Sequence, residues 1–146
     1  MRILIINGPS LNMLGKREPD IYGTMTYQTL ETALKDYAKT LKIDVEIHQS
    51  NLEGIIIDLL QHAHNSEFDG VILNAAAYTH YAYSLYDAIK SITLPVVEVH
   101  LTDPSKREEP FRHHSVIEKA CAGTFKGKHI ESYFDALHFL NNYLQQ

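Results

Sequence analysis

Apolar and polar residues occur along the chain in alternating blocks that predict strands and helices in turn. Five short runs rich in β-branched residues predict strands at residues 3–7, 45–49, 70–74, 95–100 and 120–125. The last run is the least regular, since it contains two alanines, a cysteine and a glycine.

Between these runs, apolar residues recur at three- and four-residue spacing, which predicts amphipathic helices. The first helix starts at Tyr27 with Thr26 as its N-cap, and the second follows Asn51. A third is predicted after Thr79, with Tyr81 as the first residue of its apolar face.

The last helix is predicted to begin near Ser132. Asp135 stands three residues further on, in the spacing of a capping box. Strand and helix therefore alternate to the end of the chain.

This alternation predicts an α/β fold with one parallel sheet covered by helices on both faces, because each right-handed crossover places a helix against the sheet. Five strands favour a flavodoxin-like three-layer sandwich of strand order 2-1-3-4-5, formed by a single domain over residues 1–146. Ligands of such sheets bind beyond the carboxyl ends of the strands, where the strand order reverses. The expected site therefore lies among residues 7–22, 74–80 and 98–112.

Composition narrows the classes of function. The 146 residues carry a net charge of −5, which gives no basic surface for nucleic acid. No apolar run approaches the roughly 20 residues that span a bilayer, so no membrane association is expected. The single cysteine excludes an internal disulfide, and with no apparent signal peptide it favours a cytoplasmic location.

The segment after the first strand, residues 7–23, is a long loop for a small domain, and such loops are usually functional. It brings Lys16, Arg17 and Tyr22 close together. A free tyrosine has a pKa of about 10, so only about one in a thousand is ionised at pH 7. Nearby cations favour the ionised form. Tyr22 is therefore a candidate base, although most of the nine tyrosines must be packing residues.

Glu98 and His100 are two apart on the fourth predicted strand, so their side chains leave the same face. A buried carboxylate needs a partner, and one bonded to an imidazole makes the imidazole a better proton acceptor. The pair therefore suggests a general acid; a purely structural ion pair is the alternative. Arg17, Arg107 and Arg112 are candidates for binding an anion, and a solvated surface is their alternative.

Metal and nucleotide chemistry are disfavoured. The nine histidines do not show the i, i+4 spacing of the helical zinc motif, and one cysteine adds few soft ligands. The segment NGPSLNMLG has neither the G-x-G-x-x-G pattern nor the Walker lysine. A flavin-binding electron carrier of the same sheet order remains an alternative.

Five segments together resemble one family, the type II 3-dehydroquinases of the shikimate pathway. These are NGPSLNMLGKREPDIYG, QSNLEGIIID, ILNAAAYTHYAYSLYDAI, PVVEVHLTD and REEPFRHHS, in the family's order. The resemblance implies a dehydratase that converts 3-dehydroquinate to 3-dehydroshikimate by anti elimination through an enolate, without a cofactor or metal. It also implies a homo-oligomer, a dodecamer built from trimers.

The resemblance assigns roles to twelve residues. Tyr22 would be the base, held as tyrosinate by Arg17 and Arg107, and His100 would be the acid, oriented by Glu98. The substrate-binding residues would be Asn74, His80, Leu101, Thr102 and Arg112, with Asp87 closing a neighbouring subunit's site, and Ser10 at the position that holds the enolate-stabilising water.

Ser10 is the clearest departure, because the family has asparagine at this position and serine is shorter with one donor. Pro110 adds a residue to the arginine segment, and Tyr81, Lys126 and Lys128 also differ from the usual pattern. These changes leave open a catalytically weak relative that keeps the pocket but acts as a binding protein.

Overall fold

Five parallel strands form one sheet of order 2-1-3-4-5 in the computed structural model, which describes residues 1–146. This order confirms the predicted flavodoxin-like α/β fold. Only 3-10 turns lie between β4 and β5, so the predicted alternation of strands and helices is interrupted there. The strands and helices are β1 Arg2–Asn7, α1 Pro19–Tyr22, α2 Tyr27–Thr40, β2 Asp44–Gln49, α3 Glu53–Asn65, β3 Gly70–Asn74, α4 Tyr83–Lys90, β4 Val96–His100, β5 Gly123–Lys126 and α5 Ile130–Tyr143.

Two hydrophobic cores lie on opposite faces of the sheet. In β1, Ile3 and Ile5 pack with α2 and α5, whereas Leu4 and Ile6 pack with α3 and α4. Successive strand residues point to opposite faces, so a continuous apolar run serves both cores. Every residue from 3 to 7 is buried. The protein therefore has three layers, with helices outside and the sheet between.

Thr26 is the N-cap of α2, as predicted, since its Oγ1 accepts a hydrogen bond of 3.1 Å from the backbone N–H of Thr29. The third predicted helix is shorter than expected. Tyr81 adopts an extended φ of −153° after a 3-10 turn, so α4 begins only at Tyr83.

The last helix begins two residues before the predicted position, and the predicted capping box at Ser132 is wrong. Helix α5 begins at Ile130, and Ser132 is a fully buried residue of its first turn. Its Oγ accepts a hydrogen bond of 3.0 Å from the backbone N–H of Lys128, and Asp135 instead pairs with the Lys128 ammonium at 3.3 Å. Ser132 thus stabilises the turn before the helix from within the helix.

The fifth strand is also shorter than predicted. Residues 118–120 form a 3-10 turn, and β5 pairs with β4 only from Gly123 onwards. The small apolar residues before Gly123 therefore pack as a turn. None of the helices is long and apolar enough to cross a membrane.

Candidate active site

An open cavity of about 180 Å³ lies at the carboxyl ends of β1, β3 and β4, where the strand order reverses. Ten of the twelve predicted site residues line it: Ser10, Arg17, Tyr22, Asn74, His80, His100, Leu101, Thr102, Arg107 and Arg112. Arg107 and Arg112 both reach the cavity despite the extra Pro110 between them. The loops after three different strands therefore supply one site.

The other two predicted residues lie elsewhere. Glu98 is 1% exposed and sits behind His100, inside β4. Asp87 is exposed on α4 and does not line the cavity of its own chain.

Tyr22 lies at the end of the one-turn helix α1, where two guanidinium groups meet its phenol. Arg17 Nη2 and Arg107 Nη1 each donate a hydrogen bond of 3.1 Å to Tyr22 Oη. The Arg17 guanidinium also lies over the Tyr22 ring, 4.3 Å from its centroid. The hydrogen bond to Tyr22 raises the pKa of Arg107. Two positively charged donors therefore converge on one phenol oxygen.

His100 and Glu98 form a short, buried hydrogen-bonded pair at the end of β4. His100 Nε2 lies 2.6 Å from Glu98 Oε2. Burial alone would raise the pKa of Glu98, but hydrogen bonds from His100, Thr79 and Ser115 outweigh it and leave the pKa lowered. Glu98 is therefore a buried carboxylate that stays charged.

Arg112 and His80 provide polar groups on another wall of the cavity. Arg112 Nε is buried without a hydrogen-bond partner, although Glu109 Oε2 lies 3.3 Å away as an ion-pair partner. His80 Nδ1 donates a 2.8 Å hydrogen bond to the His114 carbonyl, which leaves Nε2 of the neutral ring as an acceptor. Burial lowers the pKa of His80, so the neutral ring is favoured.

A series of hydrogen bonds orients Asn74, and each is donated onward, from Asn74 to Tyr133, Asn7 and Tyr27 in turn. Its Oδ1 accepts from the Ala76 backbone at 3.1 Å, and its Nδ2 donates to Tyr133 Oη at 2.9 Å. Tyr133 Oη in turn donates to Asn7 Oδ1 at 2.6 Å, and Asn7 Nδ2 donates to Tyr27 Oη at 3.3 Å. The Asn74 amide therefore offers its remaining N–H to the cavity.

Ser10 and Ala76 both line the cavity with left-handed backbones, at φ 69° and φ 52°. Non-glycine residues rarely adopt this conformation, and asparagine tolerates it better than serine or alanine. The Ser10 amide N–H donates a 3.0 Å hydrogen bond to Asn51 Oδ1, while its hydroxyl has no hydrogen-bond partner in the chain. The serine is thus a poor match to its backbone.

Thr79, Ser115 and Tyr133 belong to this site but were not predicted from the sequence. Only the buried charge at Glu98 gave a signal, because a carboxylate there demands more donors than His100 supplies. No three His, Cys, Asp or Glu side chains are grouped to hold a metal ion. Cys121 lies near Glu98; burial and then the Glu98 charge raise the pKa of its thiol to about 12.

The sheet order, the cavity at its carboxyl edge, and the phenol and imidazole within it define an α/β enzyme for a small anionic molecule. The family model described as Dehydroquinase class II matches residues 1–141. The chain belongs to the class II dehydroquinase family, which confirms the resemblance and removes the flavin carrier as an alternative.

Similar proteins cover nearly the whole chain. A 3-dehydroquinate dehydratase of Caldicellulosiruptor bescii is 46% identical over 143 residues, 98% of each chain. One from Bacillus pumilus is 50% identical over 137 residues, 94% of this chain and 92% of that protein. The crystal structure of a type II dehydroquinase from Butyrivibrio crossotus superposes with a TM-score of 0.94 at 45% identity, covering 97% of both chains.

Proposed function

We propose that this chain is a type II 3-dehydroquinate dehydratase, a hydro-lyase that converts 3-dehydroquinate to 3-dehydroshikimate and water. Its family and the names of its curated relatives support this activity. The observation that carries the proposal is the Tyr22 phenol, bonded by two guanidinium groups, in one cavity with His100. In this role the chain serves the shikimate pathway of aromatic amino acid synthesis.

Tyr22 is the base in the first step. As tyrosinate it takes a proton from C2 of the substrate, beside the ketone at C3, and the electron pair moves onto the ketone oxygen to form an enolate. Arg17 and Arg107 stabilise the phenolate through the hydrogen bonds that they donate to it. Their positive charges replace the water that an exposed phenolate would need.

His100 is the acid in the second step. The enolate re-forms the ketone, the double bond between C1 and C2 appears, and the C1 hydroxyl takes a proton from His100 and leaves as water. Hydroxide is a poor leaving group, so this proton is essential. Glu98 accepts from His100 Nε2, and the other ring nitrogen has no partner in the chain. Proton and hydroxyl leave from opposite faces of the ring, as an anti elimination.

The remaining polar groups of the cavity bind the substrate. Arg112 pairs with its carboxylate, since its guanidinium carries a buried donor without a hydrogen-bond partner. Asn74, His80, Thr102 and the backbone at Leu101 bind its hydroxyl groups. Ser10, with its free hydroxyl, binds the water that donates to the enolate oxygen. No cofactor or metal takes part.

The active form is a dodecamer of four trimers in the cytoplasm. Tyr81, Tyr83 and Phe111 are more than half exposed, which is unusual for large aromatic residues and fits burial by another subunit. Asp87, exposed on the same helix as Tyr83, closes the site of that neighbour. Mass photometry should give a particle of about twelve times the 16.6 kDa chain; a monomer at working concentration would contradict this assembly.

The ultraviolet absorbance of the conjugated enone, followed after adding 3-dehydroquinate, tests the activity directly. We expect turnover by the wild type and a loss of more than a thousandfold in Tyr22→Phe, which keeps the ring but removes the base. Tyr143→Phe, at the far end of α5, is the matched control and should keep full activity. A folded wild type that binds the substrate without turnover would instead favour the binding-protein alternative.

A further inference from the structure

Glu98 accepts more hydrogen bonds than its pairing with His100 requires. Thr79 Oγ1 donates to Glu98 Oε2 at 2.6 Å, and Ser115 Oγ lies 3.0 Å from both carboxylate oxygens. With His100 Nε2, three different side chains surround one carboxylate that is 1% exposed. These three come from three separate segments of the chain.

The direction of the Ser115 hydroxyl follows from its other partners. The backbone N–H groups of Ile117 and Glu118 point at Ser115 Oγ, at 3.3 and 3.1 Å. They take up the lone pairs of this oxygen, so it acts as a donor. Its proton has the charged Glu98 oxygens at 3.0 Å and the neutral Thr79 Oγ1 at 3.1 Å within reach, and a carboxylate is the stronger acceptor. Thr79 lies as close to Glu98 as a hydroxyl donor to a charged oxygen does. Both hydroxyl groups are therefore donors to the carboxylate.

Neither hydroxyl residue lines the main cavity. Thr79 and Ser115 instead line a small, mostly polar cavity of about 40 Å³ that shares His100 with the main cavity. The Val116 N–H also donates to the Thr79 carbonyl at 2.8 Å, which ties the segment carrying Arg112 to the end of β3. The contact through which the Thr79 and Ser115 side chains reach the reacting groups is therefore Glu98.

We propose that Thr79 and Ser115 are positioning residues that keep Glu98 ionised and aligned with Nε2 of His100, so that the shared proton stays on the imidazole. This rests on the proposed function, in which His100 gives up a proton. Without the two donors the buried carboxylate holds a proton more readily, so the proton that it shares with His100 shifts towards Glu98. A proton on Glu98 leaves a neutral imidazole, which is a weaker acid than the imidazolium.

Other titratable groups face the same carboxylate and are unchanged by the test. The small polar cavity is also lined by His80, Arg112, His113, His114, Glu118 and Lys126. Cys121 packs nearby, and its thiol stays neutral because burial and the Glu98 charge raise its pKa to about 12. None of these groups hydrogen-bonds to Glu98, whereas His100 does. Removing either hydroxyl group therefore acts first on the pair of His100 and Glu98.

Two pairs of variants distinguish the effect of losing the hydroxyl donor from the effect of changing the side-chain volume. Thr79→Val and Ser115→Ala remove the donor, whereas Thr79→Ser and Ser115→Thr retain one. A hydrogen bond to a charged group is worth enough to move a carboxyl pKa by about one unit. We expect kcat to fall about tenfold in T79V and S115A, because one pKa unit is a tenfold change in a proton equilibrium, while T79S and S115T follow the wild type.

Carbon-13 NMR of the Glu98 carboxyl gives a second reading that does not need activity. Its titration midpoint should rise in T79V and S115A, and KM should change less than the rate because neither residue touches the cavity. An inactive wild type would overturn the proposed function and leave this titration informative. Unchanged midpoints in T79V and S115A, or equal shifts in the conservative variants, would overturn the positioning role.

Discussion

Two residues beside the cavity carry backbone strain that their side chains do not relieve. Ser10 and Ala76 have φ of 69° and 52°, a region in which a Cβ atom costs about 1 kcal/mol or more. Ser10 also departs from the family pattern at a position that concerns the proposed reaction, since it holds the water for the enolate. Stability and rate are therefore coupled at position 10.

Changing Ser10→Asn should raise both quantities. Asparagine tolerates the left-handed region and adds a donor, so we expect a gain of about 0.5 kcal/mol in unfolding free energy and a several-fold rise in kcat. Urea unfolding and the enone assay measure the two effects. The control is Ser10→Ala, which keeps the strain and removes the hydroxyl; faster turnover in this variant would contradict the role of position 10.

Ala76→Gly should stabilise the protein, because glycine adopts φ 52° without strain. We expect about 0.5–1 kcal/mol in chemical unfolding. The adjacent Ala77 is exposed and has no positive φ, so Ala77→Gly should destabilise by a similar amount through chain entropy. If both glycine variants lose stability, the strain at Ala76 is too small to matter.

At the scale of elements, the sequence predicts the first four strands closely and the ends of the later elements poorly. Strand β3 was predicted to the residue, because a continuous β-branched run between polar ends has few other uses. The start of α5 depends on a hydrogen bond that crosses the turn, from the Lys128 N–H to Ser132, and the start of α4 depends on the turn at Tyr81. Local sequence patterns predict neither of these two helix starts.

The residues of the site also divide into those that the sequence predicts and those that it does not. Tyr22, His100 and the arginines could be found from the sequence, because the sheet order brings the loops after β1, β3 and β4 together. Thr79, Ser115 and Tyr133 could not, since hydroxyl side chains are common in loops and packing alone decides where they point. Tyr133 reaches Asn74 from a helix 59 residues further along.

Helix α5 thus has an effect on the cavity through Tyr133. In Tyr133→Phe the amide of Asn74 loses the acceptor that fixes its direction, so we expect KM to rise about tenfold with a smaller change in kcat. Steady-state kinetics measure both, and urea unfolding reports the loss of the buried hydrogen bonds. Tyr37→Phe, on α2, removes a phenol with no side-chain hydrogen bond and is the control. An unchanged KM would contradict the link.

For the molecule as a whole, stability should fall with acidification in two stages. Burial favours neutral His80, so its pKa is below the unfolded value of about 6.5, and protonation below that pH favours the unfolded chain. Burial opposes the charged form of Glu98, but its hydrogen bonds lower its pKa overall, so stability falls further as pH drops below about 4.5. The unfolded state takes up more protons in both stages.

Urea unfolding at a series of pH values between about 7.5 and 4 tests this, and we expect one cooperative transition at each, as for a single domain. His80→Gln should flatten the upper stage only, and His64→Gln, at an exposed position, should leave the profile unchanged. A profile that is level down to about pH 5 in the wild type would contradict the assignment of His80.

The alkylation rate of Cys121 measures how often the folded chain opens at one edge of its sheet. With a pKa of about 12, its thiol is roughly a thousandfold less reactive at neutral pH than a free cysteine. Alkylation by iodoacetamide therefore proceeds mainly through states in which the turn before β5 has separated from β4. Its rate, read by mass spectrometry, should fall when a ligand fills the cavity beside His100, because the turn that carries Cys121 is bonded to β4, the strand that ends at His100.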